Sequence, residues 1–151
     1  MEKFIALVII IILMYSASHC QASSLWPKTE NDCLAANVYF EARGESLVGQ
    51  YMVAWVTINR VKSLRYPNTI CEVVKEYKQF SWYKPWKEQF PKDKDAWGKA
   101  CSVAAKFLLN SPEVRTDLSE GAMYYHADYV APAWRLKKTY LSTVGKHIFY
   151  R

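Results

Sequence analysis

Glu41, Arg43 and Glu45 close the stretch VYFEARGES (residues 38–46), where an apolar run ends in two carboxylates and a guanidinium. With Leu34 at the centre of a helix face, Asn37 and Glu41 follow three and seven residues on, almost in register. Arg43 then points to nearly the opposite side and does not neutralise Glu41 within the helix. A carboxylate at the edge of an apolar stripe, with no cation on its own helix, loses solvation and is raised in pKa. A general acid working near neutral pH needs that property. The plainer alternative is a solvated glutamate in the last helical turn, although a carboxylate there opposes the helix dipole.

Other residues offer chemistry further along. Residues 77–92, YKQFSWYKPWKEQFPK, are aromatic and basic. Phe80, Trp82, Tyr83, Trp86 and Phe90 are either core or a platform for sugar rings, since flat amphipathic aromatics cover the apolar face of a pyranose. Interleaved basic and aromatic residues also describe a single-strand nucleic-acid groove. YYHAD brings Tyr125, His126 and Asp128 together to orient a substrate or form part of a hydrolytic set. A rival nucleophile exists in Cys33, at a helix N-terminus where thiol pKa values fall, with His126 as its base. That pair would make a cysteine amidase or endopeptidase.

These residues need elements to hold them. Asn31 or Asp32 can cap a first helix from about Cys33 to Arg43, ended by Gly44. Ser46 caps a second, with Leu47, Tyr51, Ala54, Trp55, Ile58 and Val61 at helical spacing. YMVAWVTINRV is apolar on nearly every side, as a buried helix is. Thr69 to Glu72 form a capping-box pattern before a short helix. Residues 77–92 fit neither period and read as an ordered loop. DAWGKACSVAAKFLL is a further helix, with Trp97, Ala100, Cys101, Ala104 and Leu108 in one stripe. EGAMYYHADYVAPAW and GKHIFYR read as short strands with loops. The fold class is therefore α+β, helix-dominated with a small sheet.

The chain has 151 residues, 51% hydrophobic and 15% aromatic, enough for one real core. Its formal charge of +6 suits an anionic partner. The start, MEKFIALVIIIILMYSASHC, has a charged end, an apolar run and small residues, the layout of a signal peptide or an N-terminal anchor over residues 1–22. Residues 23–32 read as a short lead-in and the remainder, 33–151, as one domain. Export argues against nucleic acid as the partner. It also favours a disulfide between Cys33 and Cys71, each at a helix start, while Cys101 on its stripe is expected to stay buried and unpaired. With no C-x-x-C, a structural zinc site is not expected, nor is any cofactor.

The motifs CLAANVYFEARGES-LVGQYMVAWVTINRV, YPNTICEVV, QFSW, YYHADYVAPAW and GKHIFYR, in that order, resemble the SleB-type cell wall hydrolases over residues 33–151. The resemblance implies a lysozyme-like domain acting on the glycan strands of peptidoglycan, with Glu41 as catalytic acid. It implies that Gln79, Phe80, Ser81, Trp82, Tyr125 and His126 line the substrate groove. It also points to lytic transglycosylation between N-acetylmuramic acid and N-acetylglucosamine by a single glutamate. A hydrolytic muramidase would need a second carboxylate, for which Glu45, Asp117 and Asp128 are the candidates. A non-catalytic wall-binding module is the remaining alternative. Arg135, Lys137, Lys138, Lys146 and Arg151, with no acidic residue between Pro132 and Arg151, suit contact with an anionic wall polymer, and a monomer is expected.

Overall fold

The computed structural model describes residues 27–85 and 89–151; the signal or anchor segment and Trp86 lie outside them. Helix α1 spans Glu30–Ala42 and is capped by Thr29, whose hydroxyl accepts the Asp32 amide at 3.1 Å. Asp32 returns the bond, its carboxylate accepting the Thr29 amide at 3.1 Å. The helix thus begins inside the segment expected to be a lead-in. Asp32, one of the residues expected as the cap, is instead the third residue of a capping box, because Thr29 has the extended backbone a cap requires.

Helix α2 (Leu47–Lys62) starts at Ser46, whose hydroxyl accepts the Gly49 amide. Short α3 (Ile70–Lys75) is capped by Thr69, and α4 (Lys94–Leu108) by Asp93. The carboxylate of Glu30 also accepts the amides of Ile70 at 2.7 Å and Cys71 at 3.2 Å, so the first turn of α1 holds the start of α3. Beside that junction Cys33 and Cys71 are disulfide-bonded, with Cα atoms 5.2 Å apart. Cys101 departs from expectation: it is half-buried and itself disulfide-bonded. An alanine-rich helical stripe describes what surrounds a cysteine and carries no information about what crosses to it.

The core forms around α1, whose Cys33, Leu34, Ala35, Ala36 and Val38 are fully buried against α2, α3 and α4. A second cluster joins Ala42, Met52, Val53 and Val56 to Ala122 and Phe149, seating the sheet against α2. The sheet comprises β1 (Tyr124–Ala127), β2 (Tyr140–Val144) and β3 (His147–Tyr150), in the order β1-β3-β2 and antiparallel throughout. Strand β2 carries no apolar alternation strong enough to announce itself; it exists because β3 offers it an edge. No helix among the described residues is long and apolar enough to cross a membrane.

Candidate active site

Glu41 occupies the last turn of α1, half-buried, and lines a cleft of about 200 Å³ with Arg60, Gln79, Phe80, Ser81 and Tyr125. Three separate stretches build it. The last turn of α1 supplies the carboxylate, buried α2 supplies Arg60, and the loop after α3 lays Gln79 to Ser81 across the opening. Strand β1 closes the far side with Tyr125, whose hydroxyl donates to Glu41 Oε2 at 3.0 Å.

Burial raises the Glu41 pKa, while the Tyr125 hydrogen bond and the Arg60 charge pull it back in part. Tyr125 is pushed well above the usual phenol value, first by burial and then by the Glu41 charge. The result is a carboxyl group that favours its protonated form more than a solvated glutamate does, held against a phenol that stays a donor. The geometry therefore suits a proton transferred to, and later taken from, a substrate atom in the cleft.

Not every expected residue arrives there. Trp82 is buried in the core, its indole N–H donating to Asn37 Oδ1 at 3.1 Å and its ring stacked on Phe40. Asn37, in register with Glu41, is fully buried and donates in turn to Thr57. His126 does not reach the cleft either, because neighbouring strand residues face opposite sides and Tyr125 takes the inward one. Its Nδ1 meets the Ala127 carbonyl and its Nε2 the Tyr150 hydroxyl, with the ring stacked on Tyr150. The cysteine-nucleophile alternative has no thiol to act with, since Cys33 is in a disulfide.

The other candidate carboxylates do not line the cleft. Glu45 Oε2 accepts the Lys146 amide at 3.2 Å, and Oε1 lies 4.0 Å from His147 Nδ1, so Glu45 clasps the β2–β3 hairpin. Asp117 accepts the Ser119 and Gly121 amides and the Asn59 side chain, organising the loop before β1. Asp128 is exposed beyond the end of β1. Gly44 is exposed with open space where a Cβ would stand, so the turn after α1 does not require glycine.

Arg60 is the residue sequence reasoning overlooked, although a charge inside YMVAWVTINRV was the available signal. It is 6% exposed, donates through Nε to the Met123 carbonyl at 2.9 Å, and lies over the rings of Phe80 and Tyr66. Phe80 and Ser81 also wall a neighbouring cleft of about 230 Å³ with Tyr77, Tyr83 and Lys84. A bigger cavity of about 580 Å³ lies against α4, between Tyr51 and Lys99, away from Glu41. The cleft at Glu41 is set apart by its perturbed carboxyl and by the residues around it, not by size.

Residues 44–150 match the family described as Cell Wall Hydrolase. The chain belongs to that family. The matched range opens three residues after Glu41. A spore cortex-lytic enzyme of Bacillus cereus is 31% identical over 123 residues, covering 80% of this chain and 44% of that relative. Its counterpart in Bacillus subtilis is 28% identical over 116 residues, covering 77% of this chain and 35% of the relative. The chain therefore spans less than half the length of these curated relatives. Among solved structures, the catalytic domain of the germination-specific lytic transglycosylase SleB from Bacillus anthracis superposes with a TM-score of 0.61 at 27% identity, covering 86% of this chain and all of that domain. The Bacillus cereus SleB catalytic domain gives 0.57 at the same identity, over 86% of this chain and 98% of that one. This cell wall hydrolase shares their helix-rich fold and small antiparallel sheet.

Proposed function

We propose that the protein cleaves the glycan strands of peptidoglycan as a lytic transglycosylase, with Glu41 acting first as acid and then as base. The observation that carries the reading is that Glu41 is the one carboxylate lining the cleft among the described residues. Hydrolytic glycosidases set a second carboxylate across the scissile bond, and Glu45, Asp117 and Asp128 are placed elsewhere. A single glutamate suffices when the substrate supplies its own nucleophile.

Glu41 protonates the oxygen between N-acetylmuramic acid and N-acetylglucosamine. The muramic C1–O bond breaks and N-acetylglucosamine leaves with a free hydroxyl. The muramic C6 hydroxyl then bonds to C1, giving its proton to the Glu41 carboxylate, which closes a 1,6-anhydro ring and restores the acid. Tyr125, donating to Oε2, leaves Oε1 as the oxygen that carries the proton. Gln79, Phe80 and Ser81 form the saccharide-facing wall. Residues 33–151 act as the catalytic domain, outside the cytoplasm and as a monomer. The cations between Pro132 and Arg151 hold the domain near an anionic wall.

Mass spectrometry of muropeptides released from purified peptidoglycan tests this. Anhydro-muramyl ends, lighter by one water than reducing ends, are expected. Reducing muramic ends alone would mean a hydrolytic muramidase, new peptide ends an amidase or endopeptidase, and no new ends a binding module.

A further inference from the structure

Arg60 holds a cation where a buried helix would ordinarily carry an apolar side chain. Its Nε is bonded to the Met123 carbonyl, and the rings of Phe80 and Tyr66 lie 5.3 and 5.4 Å from its guanidinium carbon. Its Nη1 is buried without any hydrogen-bond partner. Among the described residues no carboxylate stands within ion-pair distance of it. A buried, unmade bond from a charged donor is costly and needs an explanation. Arg60 forms part of the cleft wall beside Glu41, so a bound saccharide is the available source of an acceptor.

We propose that Arg60 anchors an acyl oxygen of the saccharide beside Glu41, an acetamido carbonyl or the lactyl carbonyl of the muramic residue. A guanidinium has donors and no acceptors, so it selects oxygen atoms that accept. Its planar fork favours carbonyl and carboxylate oxygens. On a peptidoglycan glycan strand those belong to the acetamido and lactyl groups. Bound there, the saccharide is fixed relative to the Glu41 proton. Arg60 is thus a substrate-anchoring residue, and its charge also opposes the rise in Glu41 pKa that burial causes. The charged or titratable groups acting on Glu41 are Tyr125 from β1 and Arg60 from α2. The inference rests on the glycan-cleaving reading above.

The test compares Arg60→Lys and Arg60→Gln with the unaltered enzyme on soluble, uncrosslinked glycan strands. Each variant is normalised to its folded fraction by near-ultraviolet circular dichroism. Loss of a hydrogen bond from a charged group corresponds to a KM increase of roughly 10- to 100-fold in both variants, with kcat less affected. Arg60→Gln also moves the alkaline limb of kcat to higher pH, because Glu41 then holds its proton longer, whereas Arg60→Lys keeps the charge and leaves the limb in place. A residue with only a structural role would change neither KM per folded molecule nor the pH limb. Should Arg60→Gln fail to fold, the KM of Arg60→Lys decides alone. On chemically de-N-acetylated strands, disappearance of the KM difference identifies the acetamido oxygen, and its persistence the lactyl oxygen. Unchanged KM in the folded variants overturns the anchoring role while an inactive Glu41→Gln leaves the catalytic reading standing. An active Glu41→Gln overturns that reading itself.

Discussion

Glu41 is held where burial favours its neutral form, and this sets its chemistry against the stability of the fold. Replacing it with glutamine keeps the shape and removes the proton, so activity on peptidoglycan should fall by about 10²- to 10⁴-fold in a correctly folded protein. The same change should raise the melting temperature at neutral pH. A carboxyl group with a folded-state pKa above its unfolded value contributes stability that is complete below the unfolded value and is lost as pH rises through the folded one. Glutamine has no such loss, so the gain in melting temperature over the unaltered protein should shrink towards zero near pH 4, the region of the ordinary carboxyl pKa. Calorimetric scans across pH check it, and a Glu41→Gln protein no more stable at pH 7 than at pH 4, relative to the unaltered chain, would contradict it.

At the scale of elements, the turn after α1 and the β2–β3 hairpin hold one another. Glu45 reaches across to the Lys146 amide and His147, and the approach is so close that a Cβ on Gly145 would collide with Glu45 Oε2. Gly145 also sits at φ +57°, the left-handed region that glycine adopts without strain. Gly145→Ala should therefore destabilise by roughly 1–3 kcal/mol in denaturant titrations. Glu45→Ala should remove the collision but not the backbone strain. The two changes combined should thus cost measurably less than their sum; strict additivity would show that Glu45 and Gly145 are not in contact. The clasp sits next to the site, since Tyr125 packs edge-on against His147. Its role follows from chain connection: Glu45 lies four residues beyond Glu41, so fixing it to the hairpin fixes the end of α1 against β1.

Across the whole molecule, the Cys33–Cys71 bond ties α1 to α3 over a sequence separation of 38 residues. A loop of that length removes chain entropy from the unfolded state worth about 3–4 kcal/mol. Cys71→Ser under non-reducing conditions should lower the denaturation midpoint accordingly, with little change in the rate of glycan cleavage because Cys71 stands apart from the cleft. A midpoint unchanged within error would mean that the Glu30 caps on Ile70 and Cys71 already supply the constraint.

The sequence by itself determined what depends on neighbours along the chain. The caps at Ser46 and Thr69, the buried run of α2, the α4 helix and the carboxyl at the end of α1 were legible, because capping and helical periodicity act within a few residues, although α4 buries Val103 and leaves the expected Leu108 exposed. So was the upward shift of the Glu41 pKa, since its position on an apolar face implies lost solvation. Tertiary structure decided the rest. Strand alternation sent Tyr125 to Glu41 and His126 to Tyr150, which the adjacency of two aromatic residues in YYHAD could not order. Packing against Asn37 and Phe40 took Trp82 out of the groove and left Gln79, Phe80 and Ser81 in it. Glu45 and Asp117 were drawn to partners 101 and 58 residues away in the chain, Lys146 and Asn59. Arg60 gained its place at the cleft through rings and a carbonyl from other elements. Such assignments follow from which surfaces meet in space, and spacing along the chain does not encode that.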